Sequence, residues 1–218
     1  MKILAFELSA DVRSVAAWDT DGGPPTLATE THTRHTRLFA LIEQALQSAR
    51  WQRDDVEGIA VGLGPGSYTG IRMAIAAAQG WRAARPIKLW GISSFHVMAE
   101  GLWRAGRRGE IFLAVDAQRK EACWAAYQIT DDGWRETAPS VLLSHTEVCR
   151  RAVAGQKILG PDVARWCPLG ETWHPSAVDL ARLAGQSSPL GGGEELTPIY
   201  LREARFAKAP PPRMIPDL

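Results

Sequence analysis

Short apolar runs separated by turn residues fill the beginning of the chain, a pattern that is typical of β-strands. Lys2–Leu8 and Val12–Asp19 predict two strands, and the loop Thr20–Pro25 leads into a third over Thr26–His32. We expect these three strands to form an antiparallel meander.

Helical spacing of apolar residues begins after the third strand. Leu38, Leu41 and Ile42 start a series that continues through Ala45, and it predicts an amphipathic helix over Arg37–Arg50. Further along, the pattern predicts strands over Gly58–Gly62 and Lys88–Ile92, a helix from Gly70 to about Ala84, and another from Ser93 or Ser94 to about Trp103.

The second half of the chain has weaker periodicity. Glu110–Val115 and Ala122–Ile129 predict a hairpin around Asp116–Glu121, while Ser144 and Ser176 are typical helix starts. The basic stretch Arg104–Gly109 is a candidate boundary between two units, Thr197–Arg202 is predicted to be extended, and the tail Ala209–Leu218 is predicted to be loose.

A glycine-rich turn, Gly62–Gly70, connects a predicted strand to a predicted helix. Helix starts with glycines can hold phosphate groups. However, no glycine here precedes Gly-Lys at the Walker offset, and Ser67 stands where the dinucleotide fingerprint requires its third glycine. We therefore interpret the turn as a tight strand-to-helix connection rather than an independent nucleotide site.

The helix after this turn has two faces with many small residues. Ile71, Ala74, Ile75, Ala78 and Trp81 form one stripe, and Met73, Ala76, Ala77 and Gly80 form another. Periodicity alone leaves two interpretations open: a deeply buried core helix, or a helix that presents one face to another subunit.

Composition narrows the functional classes. The chain has 218 residues, 45% of them hydrophobic, and a formal net charge of +1. A balanced charge does not favour strong RNA binding by this chain alone. No apolar run approaches the roughly 20 residues of a membrane span, and Glu7 interrupts any signal peptide, so we expect a cytoplasmic protein without membrane contact. Cys123, Cys149 and Cys167 lie far apart in sequence, and we interpret them as small buried hydrophobes in a reducing compartment.

The run Gly64–Arg72 closely resembles the signature of the TsaB family, the dimerisation subunits of bacterial tRNA threonylcarbamoyladenosine synthesis. Val115–Glu121 and Pro198–Arg202 resemble two further segments of that family. The resemblance implies an α/β, two-lobed fold of the actin and heat-shock ATPase type (ribonuclease-H-like). It places a first lobe at 1–104, a second lobe at 105–196, and a closing segment with its tail at 197–218.

The resemblance also implies a function. TsaB-like proteins are similar to TsaD, the catalytic transferase, which holds its metal partly through a His-x-x-x-His pair. Ser94 and Met98 stand at the aligned positions here and His96 stands alone, so the resemblance implies a non-catalytic paralogue without metal or cofactor. Its implied partners are a TsaD-like transferase, a TsaE-like ATPase, a second copy of itself when alone, and tRNA indirectly through the complex. A nucleotide is expected only at a subunit boundary.

Two groups of residues are thereby assigned roles. The signature turn comprises Gly64, Pro65, Gly66, Ser67, Tyr68, Thr69, Gly70 and Arg72. The partner interface implied by the resemblance comprises Arg37, Leu38, Leu41, Ile42, Ala45, Met73, Ala74, Ala76, Ala77 and Gly80.

The chain also departs from the family, and other interpretations remain open. Glu7 and Leu8 replace the Asp-Thr that usually follows the first strand. The alternatives are a metallopeptidase or nucleotide hydrolase of the same fold, and a homodimeric scaffold without a transferase partner. His32 with His35 is a weak candidate for metal binding, and Asp116 with Arg119 and Glu121 is a weak candidate for catalysis.

Overall fold

The computed structural model describes residues 1–31, 37–191 and 195–199. Within them the chain forms two five-stranded sheets, each flanked by helices. In the described part of the chain, no helix combines the length and the apolar character that a bilayer span requires.

The first sheet has the order β3-β2-β1-β4-β5. Strands β1, β2 and β3 are antiparallel, as the predicted meander requires, whereas β4 and β5 run parallel to β1. Its strands are β1 Lys2–Glu7, β2 Val12–Asp19, β3 Thr26–Thr31, β4 Gly58–Gly62 and β5 Lys88–Ile92.

Both faces of the first sheet are covered, because alternate residues of its strands point to opposite sides. Leu4 and Phe6 pack with the helices α1 Leu38–Ala49 and α2 Tyr68–Ala84 on what we call the outer face. Ile3 and Ala5 pack on the inner face, with α6 Ala177–Gln186.

The second sheet has the order β10-β9-β6-β7-β8. The hairpin predicted in this half is confirmed as its centre. Its strands are β6 Gly109–Asp116, β7 Glu121–Thr130, β8 Gly133–Ser144, β9 Ile158–Gly160 and β10 Glu171–Thr172, and it carries the helices α4 His145–Val153 and α5 Val163–Trp166.

Helix α3, Ser94–Arg104, joins the two halves through its packing. Val97 lies in the inner-face core of the first sheet, while Phe95 and Met98 lie in a core with the second sheet. The two sheets therefore share one helix as a common support.

Helix α6 requires a correction to the sequence interpretation. The predicted second lobe, 105–196, includes this helix, yet Leu180 and Ala184 pack on the inner face of the first sheet. Two later points of the chain also bond to the first sheet: the Leu190 amide donates to the Leu89 carbonyl at 2.8 Å, and the Ile199 amide donates to the carbonyl of Leu63, directly after β4, at 2.9 Å. Residues 200–218, with the rest of the predicted closing segment and the tail, lie outside the described residues.

Candidate functional site

The glycine turn is shaped by close packing against the connection between β1 and β2. Gly64 and Gly66 have φ of +90° and +151°, backbone conformations that residues other than glycine seldom adopt. A Cβ at Gly66 would overlap the Ser9 carbonyl oxygen, and one at Gly70 would overlap the Leu8 carbonyl oxygen. These glycines let two backbone segments touch.

Several backbone amides of the turn are engaged within the chain. The Ser67 amide donates to the Ser9 carbonyl at 2.7 Å, and the Gly70 amide donates to the Ser67 hydroxyl at 3.3 Å. Ser67 is thereby the N-cap of α2. A phosphate at a helix start needs free amides, so this arrangement agrees with the interpretation of the turn as a connection.

Glu7 is enclosed beneath the turn. Its carboxylate accepts hydrogen bonds from the Ser9 amide at 2.9 Å and the Ser94 hydroxyl at 3.0 Å. Burial raises the pKa of Glu7, while the bonds from Ser9 and Ser94 oppose that shift. A Cβ at Gly62 would overlap the Glu7 carboxylate. The glutamate that replaces the family's aspartate is therefore a buried packing element between β1 and β4.

The positions aligned with the TsaD metal ligands are also used internally. Besides binding Glu7, the Ser94 hydroxyl accepts from the Gly64 amide at 3.2 Å. Met98 is buried in the core shared with the second sheet. His96 lies on another face of α3, where its Nε2 is 3.3 Å from a Glu136 carboxylate oxygen and its ring centroid is 5.2 Å from that of Trp134. The three side chains therefore point to different neighbours.

A cleft of about 500 Å³ lies between the glycine turn and the second sheet, with Asp11, Asp116 and Asp162 in its lining. Burial raises the pKa of Asp162, and the nearby Asp11 carboxylate raises it further. Ionised carboxylates and phosphates are both negatively charged and repel each other. The described lining of the cleft carries three carboxylates and no arginine or lysine.

The side chains of Arg165 and His145 lie beside the carboxylates of the cleft. Arg165 forms an ion pair with Asp11 at 3.2 Å and approaches Asp162 at 3.1 Å without hydrogen-bond geometry. His145 Nε2 lies 3.2 Å from an Asp116 carboxylate oxygen.

Asp116 and Arg119, two residues of the weak catalytic candidate at the hairpin tip, have different surroundings in the structure. Gln118, Arg119 and Lys120 have φ of +65°, +57° and +62°, a run of left-handed residues that turns the chain tightly. Arg119 is exposed, and the carboxylate of Asp116 accepts the Gln118 amide at 2.9 Å. Asp116 faces His145 across the cleft wall, not Arg119.

The predicted partner interface divides into two sets. Leu38, Leu41, Ile42, Ala45 and Ala74 are at most 4% exposed and pack in the outer-face core. Their assignment as contact residues is corrected, because side chains sealed inside the chain cannot touch a partner. They hold α1 and α2 on the sheet instead.

The outward residues of the same helices remain candidates for partner contact. Arg37, Ala76 and Gly80 are exposed, while Met73 and Ala77 are partly buried against the edge of the core. Phe39 is 74% exposed on α1 and lies outside the apolar stripe that predicts this helix. Its signal in the sequence was an aromatic residue on the otherwise polar face of an amphipathic helix.

Gly80 is distinctive within this set. It lies in the interior of α2, and a Cβ added there would meet nothing within 4 Å. Glycine in a helix interior costs roughly 1 kcal/mol relative to alanine. Nothing in the described chain requires a glycine at this position.

The signature residues are likewise divided. Gly64, Pro65 and Gly70 are buried, and Ser67 is partly buried, so these residues belong to the turn's own packing. Tyr68, Thr69 and Arg72 are exposed, and the Arg72 guanidinium lies 5.1 Å from the Tyr68 ring centroid. The weak metal candidates His32 and His35 lie outside the described residues.

Comparisons with known proteins match most of the chain. The family model described as TsaD, tRNA N6-adenosine threonylcarbamoyltransferase, matches residues 11–161. The tRNA threonylcarbamoyladenosine biosynthesis protein TsaB of Escherichia coli K12 is 29% identical over 93% of this chain and 95% of its own. The TsaB protein of Buchnera aphidicola subsp. Schizaphis graminum is 31% identical over 57% of this chain and 60% of its own.

Solved structures agree with the sequence matches. YeaZ from Pseudomonas aeruginosa superposes with a TM-score of 0.75 at 26% identity, covering 92% of this chain and 99% of that one. A further structure from that organism, described as similar to peptidase YeaZ, gives 0.76 at 26% identity with the same coverage. The activator of 2-hydroxyisocaproyl-CoA dehydratase from Clostridium difficile gives 0.50 at 11% identity over 85% of this chain and 95% of its own, which shows likeness of fold alone.

These matches confirm the predicted two-lobed α/β class and the resemblance on which it rested. The family model spans the glycine signature and the central hairpin of the second sheet, and the match to the TsaB protein of E. coli extends over 93% of the chain. The chain therefore belongs to the family of TsaD, tRNA N6-adenosine threonylcarbamoyltransferase, and within it to the TsaB group.

Proposed function

We propose that this chain is a non-catalytic subunit that binds and organises a TsaD-like transferase during formation of the threonylcarbamoyl group on adenosine of tRNA. The similarity to TsaB biosynthesis proteins along nearly its whole length supports this assignment. The proposal gives the chain a binding role, in which it stabilises the competent conformation of its partner by binding that conformation more tightly.

The observation that carries the proposal is the outward side of α2. Ala76 and Gly80 are exposed there, and Gly80 leaves open space where any other residue would place a Cβ. Small residues on an exposed helix face allow the backbone of a second helix to approach closely. Phe39, on the same side of the first sheet, supplies an exposed aromatic ring of the kind enriched at interfaces.

The residues at the positions aligned with the TsaD metal ligands support the proposal that this chain is not catalytic. Ser94 and Met98 serve the packing of the chain, and the Ser67 and Gly70 amides of the glycine turn are bonded internally. Arg165 offsets part of the charge of Asp11 and Asp162, and a nucleotide, if the complex uses one, would need further cationic groups from the partner. We therefore place any nucleotide at a subunit boundary.

The remaining parts of the proposal concern the assembly. A TsaE-like ATPase joins the complex, the isolated chain forms a homodimer through the same helices, and tRNA is reached through the partner. A role in tRNA modification fits a cytoplasmic location. The alternative of a peptidase or nucleotide hydrolase has less support, since the described residues hold no group of three or more His, Cys, Asp or Glu side chains able to bind a metal.

Ala76→Glu tests the interface, because Ala76 is exposed in the chain alone and the change leaves the core intact. Ala77 is less suitable, since it packs against the outer-face core. A charge buried without a partner costs about 3–5 kcal/mol, so we expect the affinity for a co-expressed TsaD-like protein to fall at least about a hundredfold. The measurement is the dissociation constant of the purified complex, together with its mass.

The matched control is Thr137→Glu, which introduces the same charge at an exposed position of strand β8, in the second sheet. It should bind as the unmodified chain does. Equal affinities of the Ala76→Glu and Thr137→Glu variants would remove the outward side of α2 from the interface.

A further inference from the structure

The fold brings together two cysteines that the sequence separates. Cys149 lies on α4, and Cys167 directly follows α5. The Cys149 thiol donates to the carbonyl of Trp166, the residue before Cys167, at 3.4 Å, and both cysteines pack in the same core of the second sheet. Cys167 is only 1% exposed, while Cys149 is partly exposed at the edge of the same core.

The two thiols differ in access. Cys149 is the one that a reagent in solution can reach, and Cys167 lies behind it. This order matches a two-step exchange, in which an outer thiol reacts first and an inner thiol resolves the product.

We propose that Cys149 and Cys167 form a redox modification site, at which a small-molecule disulfide of the glutathione class converts the two thiols into an intramolecular disulfide. The Cys149 thiolate attacks one sulfur of the reagent, forms a mixed disulfide and releases one reduced thiol. The Cys167 thiolate then attacks the Cys149 sulfur and releases the second reduced thiol. Two cysteine thiols are oxidised, one reagent disulfide is reduced to two thiols, and the two protons pass to the released thiolates.

Reaction at this site is slow but not disfavoured at equilibrium. Burial, and then the neighbouring Cys167, raise the pKa of the Cys149 thiol to about 11, so the reactive thiolate is scarce at neutral pH. The final ratio of disulfide to thiols depends instead on how closely the two sulfurs are held. In the reduced chain the Cys149 thiol already lies against the residue that precedes Cys167, which favours the closed form.

The disulfide would connect two segments that border the cleft between the glycine turn and the second sheet. The His145 ring, at the start of α4, stacks on the Trp166 ring with centroids 4.0 Å apart, and His145 also contacts Asp116. Pro161 and Asp162, shortly before α5, line the same cleft. Oxidation would thus fix one wall of the cleft to the helix behind it.

The experiment equilibrates the reduced, full-length chain at pH 8 with glutathione buffers that range from fully reduced to fully oxidised. We expect the intact mass to fall by about 2 Da, and a peptide map without reductant to join Cys149 to Cys167. The melting temperature of the oxidised chain should rise by about 5–10 °C, as for a loop of this length.

Cys123 provides the internal control, because it is buried in the core with the second sheet and α3, apart from the pair. The Cys123→Ser variant should still lose the two hydrogens, and the Cys149→Ser and Cys167→Ser variants should not. Three results on the unmodified chain would overturn the proposal: an unchanged mass in fully oxidised buffer, a glutathione adduct on Cys149 that persists, or a disulfide that includes Cys123.

Discussion

Gly80 and Gly101 lie in the interiors of α2 and α3, but their surroundings differ. A Cβ at Gly80 meets open space, whereas one at Gly101 would lie 2.7 Å from an Asp179 carboxylate oxygen. The sequence shows two helical glycines with no difference between them. Only the packing tells which glycine the chain itself needs.

The contrast leads to opposite effects of the same substitution. Gly80→Ala should raise the free energy of unfolding by about 0.5–1 kcal/mol, because alanine is the better helix former. Gly101→Ala should lower it, because the new methyl group crowds Asp179. Urea denaturation of both variants measures the two effects.

The Gly80→Ala variant also tests partner binding. If a partner helix approaches Gly80, the Gly80→Ala variant should be more stable alone and weaker in complex with a TsaD-like protein. A variant that is more stable and binds equally well would contradict close approach at Gly80.

Asp179 makes the stability of the chain depend on pH. Its pKa is raised to about 6, chiefly by burial; Arg104, at 3.5 Å, opposes this shift and the nearby Glu100 adds to it. The folded form binds this proton more tightly than the unfolded form, whose pKa is near 3.8. The stabilisation is therefore present below about pH 4 and is lost as the pH rises through 6.

Asp179→Asn removes this dependence, because asparagine does not titrate. Relative to the unmodified chain, the variant should gain up to about 3 kcal/mol in free energy of unfolding between pH 4 and pH 7.5. Urea denaturation at several pH values measures the difference. A difference that stays constant with pH would show that Asp179 is not the titrating group.

At the scale of whole elements, patterned segments were predictable and unpatterned ones were not. The bounds of β2, β4 and β5 agree with the prediction, because each is a compact apolar run next to turn residues. Strand β8 was missed, since it is an edge strand whose residues are nearly all exposed or partly exposed. An element that buries little leaves a weak apolar pattern.

The helices of the candidate site were predictable from the sequence, but the residues that they expose to a partner were not. Periodicity identified the apolar stripe of α1, and that stripe proved to be the core side. The same physical signal marks burial inside a chain and burial between chains, so it could not separate Leu41 from a contact residue. The placement of Cys149 beside the Trp166–Cys167 segment was equally hidden, because it arises from tertiary packing.

The start of α2 allows a test at the element scale. The Ser67 hydroxyl accepts the Gly70 amide, so Ser67→Ala should cost about 1 kcal/mol in free energy of unfolding. Ser48→Ala is the matched control, since Ser48 is exposed near the end of α1 and caps no helix. Equal stabilities of the two variants, measured by urea denaturation, would deny Ser67 a capping role.

At the scale of the molecule, the two sheets are joined in two ways. Helix α3 packs on both, through Val97 on one side and Met98 on the other. The chain also crosses to the second sheet and returns, so that Leu180 and Ala184 cover strands formed by the first residues. A division of the sequence at one boundary therefore separates residues that share a core.

This return has a consequence for protein synthesis. On the ribosome, β1 leaves the exit tunnel early, but the apolar side chains of Ile3 and Ala5 are shielded from water only when α6 has emerged. The lobe that is translated first is thus the one completed last. Until then the growing polypeptide leaves this apolar face without its helical cover, and exposed apolar surface favours aggregation of an unfinished chain.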